Sequence, residues 1–243
     1  SLISKIPAKN RLADFPHYLM HRAEQLDNLY IFKNTEGTPE NIRKFHPNII
    51  VSSTGSAPLL PPIAGLKDRI DNENHNIYSI LGMISHINDF PKDLEGKKVV
   101  VVGGGAVGLD VVEFFADRNA DISIVEMMDQ IGRDLDPVSK NDTKTMMKKH
   151  NVHQLTKTAL LEVKDSSFLV RGEGEPYELP FEYGFVCLGM RAQGQLYQNL
   201  TEEFSSEDVE IMNIGDSQRA RRIIDGTQEG RNILTILEQK GYL

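Results

Sequence analysis

Residues 99–110 read VVVVGGGAVGLD, and this stretch decides the fold. Four consecutive valines are typical of a strand buried on both faces, as in the middle of a parallel sheet. The run stops at a glycine cluster, after which apolar residues recur at the spacing of one helical face, at Val107, Val111, Phe114 and Phe115. The stretch therefore predicts a strand, a tight turn and a helix that covers the sheet.

The glycines of this turn predict a phosphate site. Gly103 permits the tight turn, Gly105 leaves room for a pyrophosphate, and Gly108 lets the helix pack close to the strand. The helix N-terminus supplies unpaired N–H groups and the positive end of the helix dipole. We therefore expect a dinucleotide here, although a glycine turn alone is a weak signal.

The next strand strengthens that expectation. Residues 121–125 read DISIV and are followed by Glu126, 18 positions after Gly108. At this distance an acidic side chain ends the second strand and accepts hydrogen bonds from the adenosine ribose, which favours NAD(H) over NADP(H). If its loop folds back, Arg133 would reach a 2′-phosphate, and NADP(H) therefore remains an alternative. A second alternative is a fold of this type that has lost its nucleotide.

The composition limits the partners. The chain has 243 residues, a net charge of −8 and 40% hydrophobic residues, which suffices for one sizeable core or two small ones. The charge argues against nucleic acid and anionic membranes. Because neither a transmembrane run nor a signal peptide is found, we expect a cytoplasmic protein. The single cysteine, Cys187, lies in an apolar run and is interpreted as a core residue, and no histidine pattern predicts a metal site.

The rest of the chain predicts further elements. A start on Ser1 rather than methionine suggests a piece of a longer protein. A Gly-Asp pair, Gly215 and Asp216, ends a short strand ahead of another helix, where its carboxylate could meet a ribose or ribityl hydroxyl. The other predicted elements are a helix at 15–26, a strand at 48–51, a proline-rich crossing at 58–62, a helix at 137–150, an antiparallel meander at 158–179 and a strand at 183–191.

Five motifs stand in the order found in flavoprotein reductases with two dinucleotide-binding domains. They are TGSAP at 54–58, GGGAVGL at 103–109, VEM at 125–127, LGMR at 188–191 and IGD at 214–216. More closely, the chain resembles the C-terminal portion of NADH:flavin oxidoreductases of the 2,4-dienoyl-CoA reductase, 2-enoate reductase and trimethylamine dehydrogenase group. Asp110, where relatives commonly have Glu, and Gln193, after Arg191-Ala192 where relatives have Arg-Pro-Asn, depart from the pattern.

The resemblance implies an α/β fold, namely a Rossmann-like parallel sheet domain with a small antiparallel meander, plus a partial FAD-type domain. Residues 95–190 would bind NAD(H), and residues 1–94 and 191–243 would form the partial FAD-type domain. In the family, a flavin-containing barrel and an iron–sulfur segment precede this region, so FAD would bind in the full-length protein through a site incomplete here. A homo-oligomer is left open.

The implied function is a pyridine-nucleotide-binding fragment of a flavin-dependent oxidoreductase, which passes hydride from NADH to a flavin and is inactive alone. One alternative is a non-catalytic module that holds ADP or NAD in a larger flavoprotein. Another is a domain kept for assembly through a C-terminal surface at 233–243. No catalytic residue is assigned. The expected cofactor-binding residues are Gly103, Gly104, Gly105, Ala106, Val107, Gly108, Glu126, Met127, Gly189, Gly55, Gly215 and Asp216.

Overall fold

The computed structural model describes residues 2–7 and 9–242. Three short 3-10 helices lie at Leu2–Lys5, Asn10–Ala13 and Gly215–Ser217. The α-helices are α1 Asp14–Ala23, α2 Pro39–Arg43, α3 Leu66–Arg69, α4 Ile80–Ser85, α5 Ala106–Ala116, α6 Pro137–Lys149, α7 Gln195–Glu203 and α8 Ile223–Gln239.

The strands form one large sheet and three small ones. They are β1 Ile49–Ser52, β2 Ser56–Pro58, β3 Ile77–Tyr78, β4 Lys98–Val102, β5 Asp121–Val125, β6 His153–Leu155, β7 Ala159–Val163, β8 Ser167–Arg171, β9 Tyr177–Pro180, β10 Tyr183–Val186, β11 Met190–Ala192 and β12 Glu210–Asn213.

Contacts divide the chain into two compact units. The first unit takes in Ser1–Leu29 and Pro58–Gly189, and the second unit takes in Tyr30–Ala57 and Met190–Leu243. The glycine turn therefore belongs to the first unit, and the Gly-Asp pair belongs to the second.

The first unit is built on a five-stranded sheet in the order β3-β10-β4-β5-β6. All four pairings are parallel, and Val100 of β4 lies between Gly184 of β10 and Ser123 of β5. The valine run therefore forms the middle strand, and its four valines are at most 3% exposed. Together with the antiparallel order β7-β8-β9, this confirms the predicted α/β fold with a small meander.

Both faces of the large sheet are covered, as a parallel sheet requires. Helix α5 packs against β4, β5 and β10, where Phe115 is fully buried with its ring centroid 4.8 Å from that of Phe185. On the opposite face, Val100 and Val102 join a core cluster that includes Phe168 of the meander. This packing fixes the carboxyl end of β4, where the glycine turn begins.

The first unit extends further than the predicted nucleotide domain of 95–190. Residues 58–94 belong to it because β3 pairs with β10, α4 contacts α5, and the Leu94 N–H donates to the Arg118 carbonyl at 2.7 Å. Near the N-terminus, Ile6 is 2% exposed and therefore also packs into a core. The assignment of the flanking segments to an FAD-type domain stays a prediction.

The second unit has two small sheets and little core. Strands β1 and β12 pair in parallel, and β2 pairs with β11. One core cluster joins Ile50 of β1 to Leu200 and Phe204 at helix α7. The longest described helix, α8, contains most of the residues of the C-terminal surface predicted for assembly, at 233–243. The last residue of that surface, Leu243, lies outside the described residues. Within the described ranges, no helix has both the length and the apolar content needed to cross a membrane.

Candidate dinucleotide-binding site

Glycine is required at two positions of the turn between β4 and α5. Gly103 has φ +107°, and a Cβ built there would lie 2.1 Å from the carbonyl oxygen of Cys187. A Cβ at Gly108 would lie 1.8 Å from the carbonyl oxygen of Gly103, so the helix touches the strand it follows. These contacts match the jobs predicted for both residues, which are a tight turn and close packing of helix on strand.

The tip of the turn is open. Gly105 and Ala106 are exposed, and a Cβ at Gly105 would meet no protein atom within 4 Å. The first helical bond runs from the Leu109 N–H to the Gly105 carbonyl at 3.0 Å, which leaves the N–H groups of Ala106, Val107 and Gly108 without intrahelical acceptors. Exposed backbone, free donors and the positive end of the helix dipole are the features that an anion site requires.

Glu126 follows β5 and lies against the turn. Its Oε2 accepts a hydrogen bond from the Gly104 N–H at 2.6 Å, and its Oε1 accepts one from the Met128 N–H at 2.8 Å. Met127 is 68% exposed beside it. Arg133 is also exposed, and the described contacts include no hydrogen bond or ion pair of its side chain. The predicted acidic residue thus stands at the end of the second strand.

Sequence reasoning missed Lys9. Its side chain forms an ion pair with Asp110 on the first turns of α5 and lies 3.5 Å from Glu113. Burial lowers the pKa of Lys9, but the hydrogen bonds and charges of Asp110 and Glu113 outweigh burial, so the pKa is raised above its usual 10.5. A cavity of about 270 Å³ adjoins these side chains between α5 and α6. No sequence spacing links a residue at position 9 to a helix a hundred positions later.

Cys187 is a core residue, as the sequence predicts. It directly follows β10 and is 7% exposed, and its N–H donates to the Val102 carbonyl at 2.7 Å. Burial raises the pKa of its thiol to about 12, so the nucleophilic thiolate is scarce at neutral pH. Within the described residues, no group of three or more His, Cys, Asp or Glu side chains could hold a metal ion.

The predicted flavin-side residues lie in the second unit. Gly55 and Gly215 follow the parallel strands β1 and β12 and have φ +77° and +67°. Asp216 accepts hydrogen bonds from the Ser56 hydroxyl and from the Arg221 N–H, both at 3.1 Å. The carboxyl ends of these two strands thus carry the expected Gly-Asp pair.

A carboxylate that the sequence did not single out holds Gly215. Glu229 of α8 accepts the Gly215 N–H at 2.6 Å and forms an ion pair with Arg221. The Gly215 N–H and Arg221 lower the pKa of Glu229. A glutamate two turns into a helix gives no sequence signal of such a bond.

The structure therefore places the predicted residues in two groups. Gly103–Gly108, Glu126 and Met127 come together at the carboxyl ends of β4 and β5, and Gly189, with φ +103°, follows the neighbouring strand β10. Gly55, Gly215 and Asp216 form the other group, within the second unit.

A family model described as "Pyridine nucleotide-disulphide oxidoreductase" matches residues 21–212. The chain belongs to this family. The glycine turn and Glu126 lie within the matched range, and the Gly-Asp pair begins three positions after its end.

The chain is similar to several longer proteins. The chain is 26% identical to a "Metal reductase" of Desulforamulus reducens over 90% of this chain and 36% of that protein. It is 27% identical to an "NADH oxidase" of Thermoanaerobacter brockii over 79% of this chain and 28% of that protein. A 2-naphthoyl-CoA reductase structure shares the fold, with a TM-score of 0.77 and 22% identity over 94% of this chain and 33% of its own. The chain thus spans about a third of these curated relatives.

The family and these relatives imply NAD(H) and FAD as cofactors. The first unit fits NAD(H), because Gly105 leaves open space over free N–H donors and Glu126 stands beside them. The second unit offers Gly55, Gly215 and Asp216 to FAD, but within its described residues no glycine turn leads from β1 or β12 into a helix of the kind that holds a pyrophosphate. The described residues therefore fit the pyrophosphate and the adenosine ribose of NAD(H), and they fit FAD only in part.

Proposed function

We propose that this chain is the NADH-binding part of a flavin-dependent oxidoreductase of the enoate and dienoyl-CoA reductase type. The observation that carries the proposal is the open, donor-rich tip at Gly105 beside the carboxylate of Glu126. When bound, NADH supplies a hydride and the flavin accepts it. The chain itself orients the nucleotide, and none of its residues is proposed to transfer a proton.

Each part of the site has a role in this proposal. The N–H groups of Ala106 and Val107 bind the pyrophosphate, and the dipole of α5 stabilises its charge. Glu126 accepts a hydrogen bond from a ribose hydroxyl and disfavours a 2′-phosphate through repulsion of like charges. Gly189 lies beside the turn at the end of β10 and leaves its neighbourhood free of a side chain.

The partner of this part is a flavin-containing segment of the parent protein. The relatives are about three times as long as the match, which supports a further domain that carries flavin and the organic substrate. By itself the chain therefore has little turnover. An assay with NADH and a dye acceptor tests this point, and rapid dye reduction without added flavin contradicts it.

Nucleotide titration of wild type and a matched pair of glycine variants tests the site. Gly105→Ala adds a methyl group that meets no protein atom within 4 Å, so the chain folds normally while the pyrophosphate approach is blocked. We expect wild type to bind NADH more tightly than NADPH, and Gly105→Ala to lose at least about tenfold in NADH affinity, or ~1.4 kcal/mol.

Gly174→Ala is the control, because a Cβ at this exposed glycine also meets nothing. It should bind NADH as wild type does. Equal binding of NADH by wild type and Gly105→Ala contradicts the proposed site. Equal affinity of wild type for ADP and NADH instead favours a module that holds the nucleotide without using the nicotinamide.

A further inference from the structure

Gly104 is buried, and both its N–H and its carbonyl are hydrogen-bonded to residues outside the turn. Its N–H donates to Glu126 Oε2 at 2.6 Å, and its carbonyl accepts the Gly132 N–H at 2.7 Å. A Cβ at Gly104 would lie 3.0 Å from the same Oε2 and 3.1 Å from Ile131. Glycine at this position therefore allows the carboxylate to approach the backbone of the turn.

Glu126 is held firmly enough to fix its partner. Its own N–H donates to the Leu155 carbonyl at 2.9 Å, and its carbonyl accepts the Thr158 N–H at 3.0 Å. Its second carboxylate oxygen accepts the Met128 N–H. The residue thus joins the loop after β5 to the turn after β4, with three of its four hydrogen bonds made to backbone outside the turn.

The bond to Gly104 matters because the anion site comes directly after Gly104 in the chain. Hydrogen bonds from N–H groups to carboxylates are stronger than neutral ones, and a buried N–H that loses its acceptor is costly. The next residues, Gly105 and Ala106, are the exposed ones at the anion site. A shift of Gly104 would therefore move the donors that meet the pyrophosphate.

We infer that Glu126 is a positioning residue for the pyrophosphate turn, in addition to a ribose ligand. The inference rests on the proposed nucleotide site and deepens it. Glu126 presets the turn through Gly104, so its loss weakens the binding of a nucleotide that has no ribose hydroxyl for it to contact.

Ligand truncation separates the two roles. ADP and 2′,3′-dideoxy-ADP are titrated into wild type, Glu126→Ala and Glu126→Gln. We expect Glu126→Ala to lose at least about tenfold in affinity for dideoxy-ADP. Glu126→Gln should keep more of that affinity than Glu126→Ala, because its amide oxygen still accepts the Gly104 N–H. If all three proteins bind dideoxy-ADP equally and differ only for ADP, Glu126 acts through the ribose alone and the inference is overturned.

Glu182 provides the matched control. Its Oε2 accepts the Lys98 N–H at 2.7 Å, at the opposite end of β4 from the turn. Glu182→Gln therefore changes a similar carboxylate-to-backbone bond far from the site and should leave the affinity for both nucleotides unchanged. A loss equal to that of Glu126→Gln would indicate general destabilisation of the sheet and overturn the inference.

A second measurement does not depend on nucleotide. A short bond to a carboxylate moves an amide proton downfield, so the Gly104 amide resonance should shift upfield in Glu126→Gln while that of Gly103, bonded to the Val125 carbonyl, stays in place. An unchanged Gly104 resonance overturns the inference. If wild type binds neither nucleotide, the proposed function fails, but this measurement still decides whether Glu126 fixes Gly104.

Discussion

The two units bury their apolar residues in opposite proportions. In the first unit, the five-stranded sheet is covered on both faces and its central valines are at most 3% exposed. In the second unit, the large apolar residues that are exposed outnumber the buried ones: Ile50, Leu200, Phe204 and Leu237 are buried, whereas Tyr30, Ile31, Phe32, Phe45, Val51, Ile223, Ile224, Leu234, Ile236 and Tyr242 are exposed. Apolar burial is the main stabilising contribution to folding, so we expect the first unit to be self-sufficient and the second unit to depend on contacts outside its own small core.

The sheets show the same difference. Parallel strands normally lie in larger sheets with helices on both faces. In the second unit, β1 pairs only with β12 among the described strands, and Val51 on its uncovered face is 37% exposed. The glycine turn at Gly103 thus rests on a finished core, while the Gly-Asp pair at Gly215 rests on two strands. This supports the prediction of a partial FAD-type domain.

The largest effect is expected from core truncation. Phe115→Ala removes a fully buried ring between α5 and the large sheet and should cost about 3–5 kcal/mol of unfolding free energy and lower ADP affinity. Leu200→Ala, in the small core of the second unit, should leave ADP affinity unchanged. Urea unfolding and ADP titration measure both. A loss of ADP affinity in Leu200→Ala would show that the first unit is not self-sufficient.

A smaller effect is expected from Lys9, which ties the N-terminal segment to α5 in the first unit. Lys9→Met should cost about 1–2 kcal/mol at pH 8. Because the folded-state pKa of Lys9 is raised above 10.5, its stabilisation is present below that pH and is lost as the pH rises through the folded value. Urea unfolding at pH 8 and pH 11 should show the gap between wild type and variant narrowing.

Lys44→Met is the control for this pair. Lys44 forms an exposed ion pair with Glu40, and such pairs contribute little. The variant should unfold as wild type does at both pH values. A gap between wild type and Lys9→Met that stays constant up to pH 11 would mean that packing of the lysine stem, rather than its charge, stabilises the segment.

The smallest effect is expected on the exposed face of α8. Leu234 is 63% exposed, so Leu234→Lys should change the unfolding free energy by less than about 0.5 kcal/mol while reducing self-association. Asn232→Lys adds the same charge at an exposed polar position and should leave association unchanged. Sedimentation velocity compares the three proteins. Equal association of all three would remove α8 as an apolar contact surface.

The sequence predicted the parts of the fold that have periodic or glycine signals. The buried valines, the glycine jobs at Gly103 and Gly108, and the meander follow from local chemistry. The inclusion of residues 58–94 in the first unit could not be predicted in this way, because β3 has only the two residues Ile77–Tyr78 and joins the sheet through a distant pairing with β10. Lys9 and Glu229 were missed for a related reason, since long-range ion pairs and carboxylate-to-backbone bonds leave no spacing pattern.

Cys187 can serve as a chemical probe of local opening in the first unit. The only thiol of the chain is buried at the end of β10, where its backbone carbonyl faces Gly103. A thiol reagent can modify Cys187 only when the structure around it opens locally, so the rate of labelling reports how often the protein opens there. Any ligand that binds the closed form slows labelling by a factor of one plus its concentration over its Kd. The affinity of the glycine turn for a nucleotide can thus be measured from labelling rates, without a spectroscopic signal from the nucleotide.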